Sequence, residues 1–176
     1  STSTIDYSIN GVAQTPVTGV TANASGNASF TSPVLSAANN GQTLRITGIT
    51  VTSATPNCSG VFNQNITLSV NPNPTLTGAS QAATVCTGSS VTINLSGLLA
   101  SSTSTISYTI NGVVQTPVTG VTANASGNAS FTTPVLSLAK NGQTLQITGI
   151  TVTSATPNCS AAFTQNITLA VNPNPT

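Results

Sequence analysis

The chain has 176 residues, 38% of them hydrophobic, yet it carries only one acidic and two basic side chains and no histidine, for a formal net charge of +1. General acid–base catalysis needs His, carboxylate or Lys groups at a tuned pKa, and a Ser or Cys nucleophile needs a base beside it, so most enzyme classes are excluded. One carboxylate cannot build a calcium cage, three scattered cysteines without histidine do not make a zinc site, and phosphate neutralisation on nucleic acid has no basis. The expected catalytic, metal and cofactor-binding residues are therefore none.

Taken from its start, the chain says the same thing twice. Residues 1–75 align without a gap to residues 102–176 at an offset of 101, with 64 of the 75 positions identical. None of the charges is shared: Asp6 becomes Ser107, Arg45 becomes Gln146, and Lys140 stands where the first copy has Asn39. A period of 101 residues is the size of a small domain rather than a solenoid turn. Residues 76–101 have no second copy and complete the period. The Asn-Pro-Asn-Pro segments at 71–74 and 172–175 suit stiff, extended joints. These features predict an incomplete repeat over 1–74, its first strands missing, followed by a complete repeat over 75–176. The chain starts in mid-repeat and reads as an interior piece of something longer. It contains no visible signal peptide and no run of 18 apolar residues.

Within the complete unit, strands follow in order. Val91, Ile93 and Leu95 alternate with Thr92 and Asn94, and Ile106, Tyr108 and Ile110 with Ser107 and Thr109, which is the period of a half-buried strand. Asn111-Gly112 then predicts a two-residue hairpin into Val113-Val114-Gln115. Residues 125–128 and Asn141-Gly142 mark further turns. Leu145 and Ile147 change phase at Gly149, after which Ile150 and Val152 face the same way, predicting a β-bulge. Ile167, Leu169 and Val171 close the unit. Placement of the apolar residues at strand period argues for a folded chain, although Ser/Thr/Asn/Gly-rich tracts can be unstructured linkers. No convincing helix is found. About seven short strands in about 100 residues make the pattern of an all-β, immunoglobulin-like sandwich.

Cys58 and Cys159 are repeat equivalents, and the counterpart of Cys86 falls outside the chain. Two cysteines per full unit predict a Cys86–Cys159 disulfide, with Cys58 pairing with an upstream cysteine outside this chain. Three free buried thiols, or a Cys58–Cys86 bridge that breaks the repeat logic, are the alternatives. A disulfide inside the domain implies an oxidising compartment, at the cell surface or outside it, and typically adds roughly 2–4 kcal/mol.

Four further features are weighed against ordinary structure. Nine Asn-x-Ser/Thr sequons occur (Asn23, Asn27, Asn57, Asn65, Asn94, Asn124, Asn128, Asn158 and Asn166), most of them expected by chance in such a composition, with glycosylation the alternative. Thr50-Val51-Thr52 and Thr151-Val152-Thr153 are too sparse for an ice-matching array. The ring pairs Tyr7/Tyr108, Phe30/Phe131 and Phe62/Phe163 lie in strand alternation and are expected in the core rather than on a sugar platform. Lys140 faces Asn39 across the offset, which excludes a repeated Lys–Asn isopeptide bond.

Val85-Cys86-Thr87-Gly88-Ser89 opening a strand, a second cysteine in a late hairpin, and the ending Asn166-Ile167-Thr168-Leu169-Ala170-Val171-Asn172-Pro173 resemble the immunoglobulin-like repeats of giant surface adhesins of Bacteroidota, the gliding-motility adhesins among them. The resemblance covers the whole chain. It implies export by the type IX secretion system, attachment at the outer surface and many tandem copies in a long filament. The expected function is thus a non-catalytic stalk and multivalent contact surface. A carbohydrate- or ice-binding module, or an inert spacer in a larger secreted enzyme, is the alternative. The expected partners are neighbouring repeats of the same chain and, through lateral association, other copies; the surface or glycan target is open, and neither nucleic acid nor a membrane span is expected.

Overall fold

Runs of Thr, Val and Ile broken by Asn-Gly and Pro fold into β-structure through residues 1–175, the part of the chain that this computed structural model describes. The chain divides into two units, Ser1–Val70 and a second from Asn71 onward. The division falls ahead of the Asn-Pro-Asn-Pro segment. That segment binds forward into the second unit: Asn71 Nδ2 donates to the Pro157 carbonyl (3.1 Å) and Thr75 Oγ1 to the Gly97 carbonyl (2.6 Å).

The first unit is one antiparallel sheet. Its strands are β1 (Thr2–Ile9), β2 (Val12–Ala13), β3 (Val17–Thr21), β4 (Thr43–Val51) and β5 (Cys58–Thr67), in the order β2-β1-β4-β5 with β3 also on β1. Its buried core cluster is small: Tyr7, Ile9 and Leu44.

The second unit is a sandwich. Strands β6 (Gly78–Gln81), β7 (Val85–Cys86) and β8 (Thr92–Ser96) precede β9 (Thr103–Ile110), β10 (Val113–Val114), β11 (Val118–Thr122), β12 (Ala129–Thr132), β13 (Thr144–Val152), β14 (Cys159–Thr168) and β15 (Val171–Asn172). One sheet repeats the order of the first unit, β10-β9-β13-β14 with β11 on β9; a second runs β12-β8-β6; β15 and β7 form a short parallel pair. Among the described residues helix is confined to two single 3-10 turns, Ala37–Asn39 and Leu138–Lys140.

The alternation read from the sequence produces this core. Along β9 every second residue is buried, so Ile106, Tyr108 and Ile110 face inward. They meet Val91, Ile93 and Leu95 around β8, and Phe131 from β12, in a cluster of seventeen buried side chains. The Tyr108 and Phe131 rings pack tilted at 49°, centroids 5.3 Å apart. Full burial of a Val, Leu, Ile or Phe side chain contributes about 1.5–3 kcal/mol, so the second unit holds most of the chain's hydrophobic stabilisation.

The predicted Asn-Gly hairpin joins β9 to β10, with Ile110 opposite Val113. Asn111 (φ 49°) and Gly112 (φ 78°) both occupy the left-handed region that a type I′ turn demands. The predicted bulge is present as well: the β13 register shifts between Ile147 and Gly149 against both neighbouring strands. The extra residue keeps Leu145, Ile147, Ile150 and Val152 all buried.

Candidate functional site

The cysteines are the only site residues the sequence singled out, and the structure places them apart. All three are free thiols, with Cys58 and Cys86 exposed and Cys159 half-buried. Cys159 opens β14, opposite Val152. Nine residue steps along β14 lead to Thr168, a distance of about 30 Å at the usual strand rise. The chain then reaches β15, where Asn172 is the ladder partner of Cys86. Cys86 and Cys159 therefore sit at opposite ends of the sandwich, far beyond the 4.4–6.8 Å between Cα atoms that a disulfide allows. The expected Cys86–Cys159 bridge within one unit does not fit this fold. Sequence spacing gave no sign of it, because it depends on how the last strand pairs.

The two ends differ in chemistry. At the end where the second unit begins, the Cys159 thiol lies 3.9 Å from the carbonyl oxygens of both Asn71 and Pro157. At the far end, Thr87 N–H donates to the Asn172 carbonyl (2.8 Å), and the Val171 N–H is held by Asn141 Oδ1 (3.0 Å). The chain thus enters this unit at one end and leaves it at the other.

A surface depression of about 510 Å³ is lined by Gly78, Ala79, Ser80, Asn94, Leu95, Ser96, Asn128 and Ala129. It is shallow and offers amides, hydroxyls and methyl groups, with no ionisable group and no ring. Among the described residues no three His, Cys, Asp or Glu side chains cluster as metal ligands would. Among the described residues no helix is long and apolar enough to cross a membrane.

The remaining motifs are absorbed largely by structure. All nine sequon asparagines are exposed. Two of them shape turns: Asn124 Oδ1 accepts from the backbone of Ser126 and Asn128 (2.9 and 3.0 Å), and Asn23 does the same for Ser25 and Asn27. The threonines flanking Val152, Thr151 half-buried and Thr153 exposed, also hydrogen-bond to neighbouring strands. Thr151 Oγ1 hydrogen-bonds Ser160 Oγ (2.9 Å) and Thr153 Oγ1 donates to the Thr103 carbonyl (3.1 Å). Tyr7, Tyr108 and Phe131 are core residues. Phe163 is half-buried at the core's edge, whereas Phe62 is 43% exposed, since the first unit has no facing sheet to cover it. Burial pushes the Tyr108 phenol above its ordinary pKa.

One exchange between the copies leaves no signal in the sequence pattern. In the first copy Asn39 Nδ2 donates to Gln42 Oε1 (3.1 Å). In the second copy Lys140 replaces that asparagine, and the equivalent Gln143 Oε1 is buried without a partner.

No protein-family model, curated protein or solved structure matches this chain.

Proposed function

We propose that this chain is part of the tandem-repeat region of a long extracellular or cell-surface filament, non-catalytic, built from immunoglobulin-like sandwiches and acting as stalk and multivalent contact surface. One observation carries the reading: a domain-sized sequence is repeated with 64 of 75 positions identical, on a module that the chain enters at one end and leaves at the other. Such a module gains length with every copy added, and weak contacts repeated along it gain avidity. A surface almost without charge supports lateral association of copies, because low net charge favours association. On this reading export follows the type IX route of the surface adhesins that the chain resembles.

Beads coated with antibody against the repeat, applied to living source cells and tracked, test the proposal. Beads carried along the cell body indicate a moving adhesin, and beads that bind but jitter in place indicate a static stalk. Absence of binding on cells that express the protein refutes surface display. Lateral association is tested by sedimentation of the purified chain, which would refute it by staying monomeric at high concentration.

A further inference from the structure

The two cysteines of a unit are too far apart to pair with one another, yet the same asparagine adjoins both of their surroundings. Asn172 is the parallel ladder partner of Cys86. By the 101-residue offset Asn172 corresponds to Asn71, in the identical segment Asn-Pro-Asn-Pro-Thr. Asn71, in turn, presents its carbonyl to the Cys159 thiol at 3.9 Å and its side-chain amide to the Pro157 carbonyl at 3.1 Å.

We infer that the cysteines pair between consecutive repeats: Cys86 of one unit bonds the cysteine of the next unit that corresponds to Cys159. The inference rests on the tandem-array reading above. Paired strands lie about 4.8 Å apart, which sets Cys86 beside Asn172, and the equivalent Asn71 lies 3.9 Å from the Cys159 thiol through its carbonyl, so in an array one asparagine borders both the cysteine of its own unit and that of the next. Direction agrees with distance. Val171 is buried and Val85 half-buried, while Cys86 and Asn172 are both exposed, so the Cys86 thiol and the Asn172 side chain share the outward face of the pair. That is the face Asn71 turns toward the loop carrying Pro157 and Cys159.

Each joint would then be closed by one disulfide spanning the Asn-Pro segment. On this reading the partner of each of the three thiols lies one repeat away. Formation is a thiol–disulfide exchange. Two thiols give up two protons and two electrons as the S–S bond forms, and a low-molecular-weight disulfide takes them up, becoming two thiols.

The test uses the 176-residue chain and the same chain extended at its C-terminus by a second copy of residues 76–176, each equilibrated with oxidised glutathione. Free thiols are counted and bridged peptides are located by mass spectrometry. The extended chain is expected to carry one intramolecular bridge and the 176-residue chain none, thiols capped by glutathione being told apart by their added mass. Cys86→Ser in the extended chain should abolish that bridge, whereas Cys159→Ser should leave it intact, because the partner is the added cysteine. A bridge in the 176-residue chain, its loss in the extended Cys159→Ser variant, or no bridge in the extended chain overturns the inference. None of these outcomes depends on where the protein resides, so failure of surface display is read separately.

Discussion

Replacing Phe131 by Ala should unfold the second unit far more readily than replacing Phe30 by Ala unfolds the first. The two rings are repeat equivalents and each packs against its tyrosine at 5.3 Å, tilted by 49° and 51°. Their surroundings differ. Phe131 is 4% exposed, sits opposite Ile93 on β8 and is enclosed by the facing sheet; Phe30 is half-buried and has no second sheet around it. Truncating an enclosed Phe removes its transfer free energy and leaves a cavity, costing about 3–5 kcal/mol. Without an enclosing layer only part of the transfer term is lost, about 1–2 kcal/mol. For a domain near 100 residues each kcal/mol moves the midpoint by roughly 4–8 °C, so Phe131→Ala should lower the second unit's Tm by at least about 12 °C. Scanning calorimetry of the whole chain reads this, with Phe30→Ala expected to leave the second unit's transition in place. Equal displacements for the two variants would refute the argument that the second sheet makes the cavity.

Three other outcomes are expected. Lys140→Asn restores the donor that Gln143 Oε1 lacks, and should raise the second unit's stability in urea denaturation by about 1 kcal/mol, since a buried unsatisfied acceptor costs about 1–3 kcal/mol. Gly127→Ala should destabilise the chain by more than Gly26→Ala: both glycines have positive φ (75° and 80°), a strain of about 1–2 kcal/mol for Ala, but only at Gly127 would the new Cβ run into the Leu98 carbonyl. Paired denaturation curves decide it, and equal midpoint shifts would count against that clash. Tyr108 is held neutral by burial, so its folded pKa lies above its unfolded one. Its contribution is complete below the unfolded value of about 10 and is lost as pH rises through the folded one. Stability followed by denaturant midpoint above pH 10 should therefore fall less steeply in Tyr108→Phe than in the parent.

Local sequence carried the fold well where a single strand or turn determines the outcome. The alternation at Ile106, Tyr108 and Ile110 needs only the pleat, and the Asn111-Gly112 hairpin and the Gly149 bulge need only the backbone freedom of those residues. Three things were not legible. The parallel pairing of Val85–Cys86 with Val171–Asn172 joins segments some 86 residues apart, and neither is long enough to announce itself. That pairing decides where Cys86 lies, so the disulfide reading, made from cysteine count and period alone, joined two thiols that belong to opposite ends. The covering of Phe62 failed because the first copy has no counterpart of β6 and β8 preceding it in this chain. The partnerless Gln143 depends on a single side-chain exchange, which no periodicity records.

The register steps at Gly149 have a geometric outcome. Between one pair of rungs and the next, β9 advances from Tyr108 to Ser107, β13 from Ile147 to Gly149 and β14 from Gln165 to Ala162, so each strand outward spends one more residue than its neighbour. A ribbon whose successive rails grow longer at the same place must curve there, as bulged strands do. The first unit repeats the steps at Tyr7/Asp6, Ile46/Gly48 and Gln64/Val61, with no opposing layer to press it into shape. Curvature is thus intrinsic to this sheet, and in the second unit β6, β8 and β12 dock onto a surface already bent to receive them.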